Sequence, residues 1–180
     1  RLIAVCVIYF LALGVSAHLL DAVGGKTKPW GDLPKRKLWT VSMIVLGIAF
    51  TIGMYYAFLD SPLLFAIGIA EGFFLFAYNL ELFGGRFHNN STTIVAWAIL
   101  PIFAGSAIQT NSISLEAIML CGIASVITYI LITTSRKYKH LRRDNGSHLE
   151  IKRCETILKL LTIGVLVGTA ILLVVGFSSA

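Results

Sequence analysis

Six runs of apolar residues, each long enough to cross a lipid bilayer, constrain this chain more than any other feature. They cover about 2–20, 38–59, 62–82, 92–109, 114–134 and 156–178. A helical crossing needs about 17–25 predominantly apolar residues. A helix is also the element that satisfies every backbone N–H and C=O within its own segment when no water is at hand. The expected fold is therefore all-α, a polytopic transmembrane helical bundle of six spans in a single domain, 1–180. Composition supports this: 57% of residues are hydrophobic, 13% are charged and the mean hydropathy is +0.83. A soluble domain of 180 residues could not bury that much apolar surface. Pro62 suits a helix first turn, and Pro101 is expected to kink the fourth span.

Alternation of the spans assigns the connections. Segments 21–37, 83–91 and 135–155 fall on one side and the turns at 60–61 and 110–113 on the other. The first group holds Lys26, Lys28, Lys35, Arg36, Lys37, Arg86, Arg136, Lys137, Lys139, Arg142, Arg143, Lys152 and Arg153. That is 13 of the 15 basic residues, so the positive-inside rule makes this side cytoplasmic. The first helix then starts outside, and at least one span is expected before Arg1. The net charge of +6 belongs to this face, where basic loops meet anionic headgroups. Nucleic acid is not an expected partner, because no aromatic platform interleaves the basic residues. Cys6, Cys121 and Cys154 lack metal or redox spacing and read as unpaired packing residues.

The informative polar residues sit within or at the ends of the apolar runs. Glu71 falls in the middle of the third run, where an ionisable group is costly and normally faces the bundle interior. It is expected to find a hydrogen-bond partner on a neighbouring helix or to line a cavity. Tyr78 is seven residues on and is expected to share its face. Asn79 and Glu81 follow, Gly84 and Gly85 are expected to end the helix, and Arg86 and His88 stand just beyond. His18 and Asp21 are three apart on one helical face. Imidazoles and carboxylates suit transition metals, so His18, Asp21, Glu81 and His88 form one candidate metal set. No H-E-x-x-H pattern sharpens it.

The stretch "SAHLLDAVGGKTKPWGDLPKRKLW", residues 16–39, is a helix end with an acidic residue, then a basic segment, then a new helix. It resembles the first motif region of the UbiA-type intramembrane prenyltransferases, N-x-x-x-D-x-x-x-D and its follow-on segment. "YNLELFGGRFHNNSTTIVAWAILPIFAGSAIQ" is similar to the family's tyrosine-containing helix end, short loop and next helix. Residues 135–154 fall where the second motif, D-x-x-x-D, would stand. In this sequence the first motif reads Ala17, Asp21, Gly25, and the second region reads "SRKYKHLRRD", basic where the family is acidic. The family has more helices, so six spans imply a truncated or shortened version.

The resemblance implies transfer of a prenyl group from a prenyl diphosphate to a lipophilic acceptor, with magnesium as cofactor. Asp21 would be the surviving metal or diphosphate ligand. Tyr78, Asn79 and Glu81 would line the acceptor pocket, and Lys26, Lys28, Arg86, Arg136 and Lys137 would steady phosphate. A membrane lipid or isoprenoid would be the small-molecule partner. Two alternatives stand beside this reading. One is a non-catalytic lipid-binding or structural subunit of a larger membrane complex. The other is a metal-dependent membrane enzyme built on His18, Asp21, Glu81 and His88.

Overall fold

The computed structural model describes residues 1–24 and 33–178. Every regular element among them is helical. The apolar runs become α1 (Leu2–Gly24), α2 (Lys35–Leu59), α3 (Leu63–Asn79), α4 (Asn90–Thr110), α5 (Leu115–Arg143) and α6 (His148–Ser178). Five are long and apolar enough to cross a membrane, and α3 is an apolar helix of 17 residues. The chain divides into two compact units, Arg1–Ser125 and Val126–Ala180.

The first unit packs α1–α4 through small side chains. Ala17, Ala49, Ala57, Ala77, Ala96, Ala98, Ala104 and Ala107 are all buried. In a lipid-like setting small residues let helix backbones approach, because hydrophobicity alone does not drive apolar helices together. Two apolar clusters result, one around Ile67, Leu100, Ala104 and Ala107, the other around Ala17, Leu20 and Leu75. Between α1 and α2, Ser16 and Ser42 bond reciprocally. Their hydroxyls lie 2.7 Å apart, and each also reaches the other's carbonyl, at 3.1 and 3.2 Å.

Both ends of α3 are tied to neighbours. At its start the Leu63 N–H, an orphan donor of the first turn, donates to Asn111 Oδ1 at 3.1 Å. Asn111 itself stands in the left-handed conformation that ends α4, with its N–H on the Ala107 carbonyl. At the other end Gly24 lies against the chain leaving α3. A Cβ on Gly24 would sit 2.4 Å from the Asn79 carbonyl oxygen and 2.7 Å from Leu80 Cα.

α3 ends earlier than its glycines suggested. It stops at Asn79, with Glu81 left-handed at φ 50°. The Leu82 N–H bonds the Ala77 carbonyl and the Glu81 N–H that of Tyr78, the paired bonds of a Schellman motif. Glu81 takes the position glycine usually holds, and Gly84 and Gly85, both at positive φ, shape the short 3₁₀ turn that follows (Phe83–Gly85).

Two stretches of the first unit are π-helical: Phe10–Ser16 in α1 and Val95–Ile99 in α4. The second ends just before Pro101. Proline cannot donate to the preceding turn, and the Leu100 N–H reaches back five residues to the Val95 carbonyl. The irregularity expected at Pro101 thus takes the form of a wide turn upstream of it.

In the second unit the expected 135–155 loop is mostly helix. At about 1.5 Å per residue the 29 residues of α5 measure about 43 Å, against a hydrocarbon core of about 30 Å. The segment "SRKYKHLRR" loses hydropathy and keeps helix propensity, and its basic residues suit a helix C-terminus. The helix closes where Asn145 turns left-handed and the Gly146 N–H bonds the Leu141 carbonyl at 2.8 Å. Lys137 pairs with Glu150 at 3.2 Å, and the Tyr138 hydroxyl donates to Glu155 at 3.0 Å, joining the two helix ends. No large apolar side chain of α6 between His148 and Val174 is fully buried.

Candidate functional site

A cavity of about 620 Å³ lies among α1–α4. Val5, Ile8, Leu13, Met43, Leu46, Phe50, Phe65, Phe74, Leu75 and Ile108 supply most of its wall. Glycines at 47, 53, 68 and 72 also line it, and a Cβ at any of them would meet nothing within 4 Å. Its hydrogen-bonding side chains are Tyr9, Glu71, Asn79 and Trp97.

Glu71 is the central residue of α3, roughly 12 Å from either end of that helix. Its interior orientation and polar partner are as its position demanded. The Tyr9 hydroxyl of α1 donates to Glu71 Oε1, across to a different helix. Tyr9 was not anticipated. A tyrosine in an apolar run carries no signal of its own, and only the cost of a lone carboxylate announces that some partner must exist. Asn79 is buried at the end of the same ridge, its Nδ2 donating to the Leu75 carbonyl at 2.7 Å. Trp97 lies within the π-helical stretch of α4.

The ridge facing the cavity runs Ile67, Glu71, Leu75, Asn79, at intervals of four. Tyr78 therefore does not share the cavity with Glu71 as expected. Its ring stacks on His88, with centroids 4.4 Å apart and planes at 17°. His88 Nδ1 lies 3.3 Å from the Tyr78 carbonyl oxygen. His18 is exposed and meets Trp97 edge-on, with centroids 6.2 Å apart.

The remaining site expectations divide by place. Asp21 is half-buried in the last turn of α1, and Glu81 occupies the left-handed cap of α3. Gly24 against Asn79 and Leu80 brings these two helix ends together. Arg86 is exposed just past the turn. Arg136 and Lys137 belong to the second unit, and Lys26 and Lys28 lie outside the described residues. Among the described residues, no three His, Cys, Asp or Glu side chains converge as a metal site would require. Of the candidate set His18, Asp21, Glu81 and His88, one histidine ring meets Trp97 and the other stacks on Tyr78.

On the side of the short turns a second polar group forms. Arg1 pairs with Asp60, donates to the Ile108 carbonyl at 2.6 Å and lies over the Tyr56 ring at 5.9 Å. This ties the start of α1 to the ends of α2 and α4. The Asp60 carboxyl is held below the ordinary carboxylate range, chiefly by its hydrogen bond from Arg1.

Compared with known proteins, the chain matches no protein-family profile, no curated protein and no solved structure.

Proposed function

We propose that this is a multi-pass integral membrane protein whose first unit binds a lipophilic molecule in the cavity among α1–α4. The observation that carries the reading is the cavity itself: about 620 Å³, apolar over most of its wall, with a few polar groups set into it. Small-molecule sites have this size and character. The basic residues gathered on alternate connections orient the chain with 21–37, 83–91 and 135–155 toward the cytoplasm. The ligand would be a membrane lipid or isoprenoid, and the protein a lipid-binding component, alone or beside other membrane subunits.

The test uses a photoreactive diazirine-bearing C16 hydrocarbon chain in vesicles containing the purified protein. Crosslinks are expected on cavity residues of α1–α4. Gly72 faces open space, so Gly72→Phe fills the cavity without a backbone clash and should reduce these crosslinks at least tenfold while the protein stays folded. Crosslinks confined to α6, or unchanged in Gly72→Phe, refute the reading.

A second reading, prenyl transfer from a diphosphate, is favoured by one observation: the Asp21 end of α1 meets the Tyr78–Glu81 end of α3 through Gly24. Asp21, Tyr78, Asn79, Glu81 and Arg86 would then border the reacting end of the substrate. The described residues offer no protein-built metal cage there. Magnesium at Asp21 would take its other ligands from the diphosphate and water. Asp21→Asn should abolish magnesium-dependent prenyl transfer with little change in thermal stability, and full activity in that variant removes the reading.

A further inference from the structure

We infer that Tyr9 and Glu71 form a polar anchor for the hydroxyl end of a long-chain alcohol, set in the interior of the cavity. This rests on the lipophile-binding reading above and adds the chemistry and direction of the ligand.

Three observations converge on the pair. First, Glu71 has a hydrogen-bonding position to spare. Tyr9 donates to Oε1, whereas Oε2 has no hydrogen-bond partner among the described residues and is not sealed from the cavity. A carboxylate accepts about four hydrogen bonds, and one left short in apolar surroundings favours any donor that can reach it. Second, the wall around the pair is apolar, so the rest of the ligand must be hydrocarbon. Third, two of the helices that line the cavity break regular geometry. Tyr9 directly precedes the π-helical stretch of α1, and Trp97 lies within that of α4. π turns inside α-helices are frequent at functional sites.

A hydroxyl fits this geometry. It donates its one proton to Oε2 without bringing charge into the cavity, and the bond is charge-assisted when Glu71 is ionised. A carboxylate end would carry its own charge into an apolar cavity at a desolvation cost, and a methyl end would leave Oε2 as it is. The alcohol would therefore lie with its polar end at the middle of α3 and its chain along the apolar wall.

The experiment compares three photoreactive C16 probes at equal mole fraction in vesicles holding the full chain: one ending in a hydroxyl, one in a methyl, one in a carboxylate. The alcohol is expected to crosslink cavity residues about tenfold more than the methyl-ended probe, one charge-assisted hydrogen bond's worth. The carboxylate-ended probe is expected to crosslink least. In the double variant Tyr9→Phe/Glu71→Met, which approximately keeps the volume and leaves no polar orphan, the ratio of alcohol to methyl-ended crosslinking should fall to about onefold. Equal labelling by alcohol and methyl probes in the native protein overturns the inference while leaving lipophile binding intact. So does an advantage that survives in the double variant. If no probe labels the cavity, the binding reading itself fails. Should the double variant not fold, the native ranking decides: a carboxylate-ended probe labelling as well as the alcohol also overturns the anchor.

Discussion

α1 and α6 are similarly apolar, yet the structure uses them in opposite ways. α1 buries Ser16, Ala17, Leu20 and Ala22, and its serine bonds α2. α6 leaves Leu160, Ile163, Leu166, Ile171, Leu172 and Val174 exposed, and near its start Glu150 and Glu155 accept from Lys137 and Tyr138 of α5. Mean hydropathy cannot tell the two apart. What differs is the use made of small and hydroxyl-bearing residues: in α1, Ser16 and Ala17 let α2 and its Ser42 approach closely, whereas the hydroxyl of Thr162 in α6 bonds its own helix.

The largest expected effect comes from placing one methyl group in each region. Gly24→Ala drives a Cβ into the Asn79 carbonyl and Leu80 Cα and should lower stability by about 1–3 kcal/mol. Gly164→Ala meets nothing within 4 Å and should be neutral or raise stability by up to about 1 kcal/mol through helix propensity. Thermal unfolding in detergent reads both, and equal effects would erase the contrast.

A smaller effect is expected from hydroxyl removal. Ser42→Ala loses a reciprocal bond between helices, about 0.6–2 kcal/mol in membrane proteins. Thr162→Ala removes a hydroxyl bonded only to its own helix, at the Leu158 carbonyl 2.9 Å away, and should stay within about 0.5 kcal/mol. A Thr162→Ala loss as large as that of Ser42→Ala would show that α6 too depends on its polar groups.

The smallest effect is one of pH. A carboxyl whose folded-state pKa is depressed contributes stability above its unfolded value, about 4, and loses it as pH falls through the folded value. Arg1 depresses Asp60, so the melting temperature of the native protein should drop toward that of Asp60→Asn on acidification below about pH 4. The pair is exposed and the drop should be small. A constant difference between the two proteins from pH 7 to pH 3 would sever the link between Arg1 and Asp60.

Hydropathy made the helices legible, because the length of each run maps directly onto a helix. It failed where hydropathy and helix propensity part, at "SRKYKHLRR", which is polar and still helical. It also failed at α3, where Glu81 took a left-handed cap that a glycine-based rule assigns to Gly84 or Gly85. Glu71 was legible as a site residue because burying an acid demands compensation. Tyr9 was not, since its role depends on which helix faces α3. The stacking of Tyr78 on His88 was hidden for the same reason: a tight turn, not helical spacing, brings the two rings together.

The tethering of α3 at both ends has a consequence for bilayer thickness. Its 17 residues measure about 26 Å, short of an average hydrocarbon core of about 30 Å. A free helix of that length would shift or draw in the lipid around it. Asn111 fixes the register at one end and Gly24 at the other, so on the proposed reading the depth of Glu71 follows from protein contacts. Thicker and thinner membranes would then change the surrounding lipid while the carboxylate kept its place relative to Tyr9.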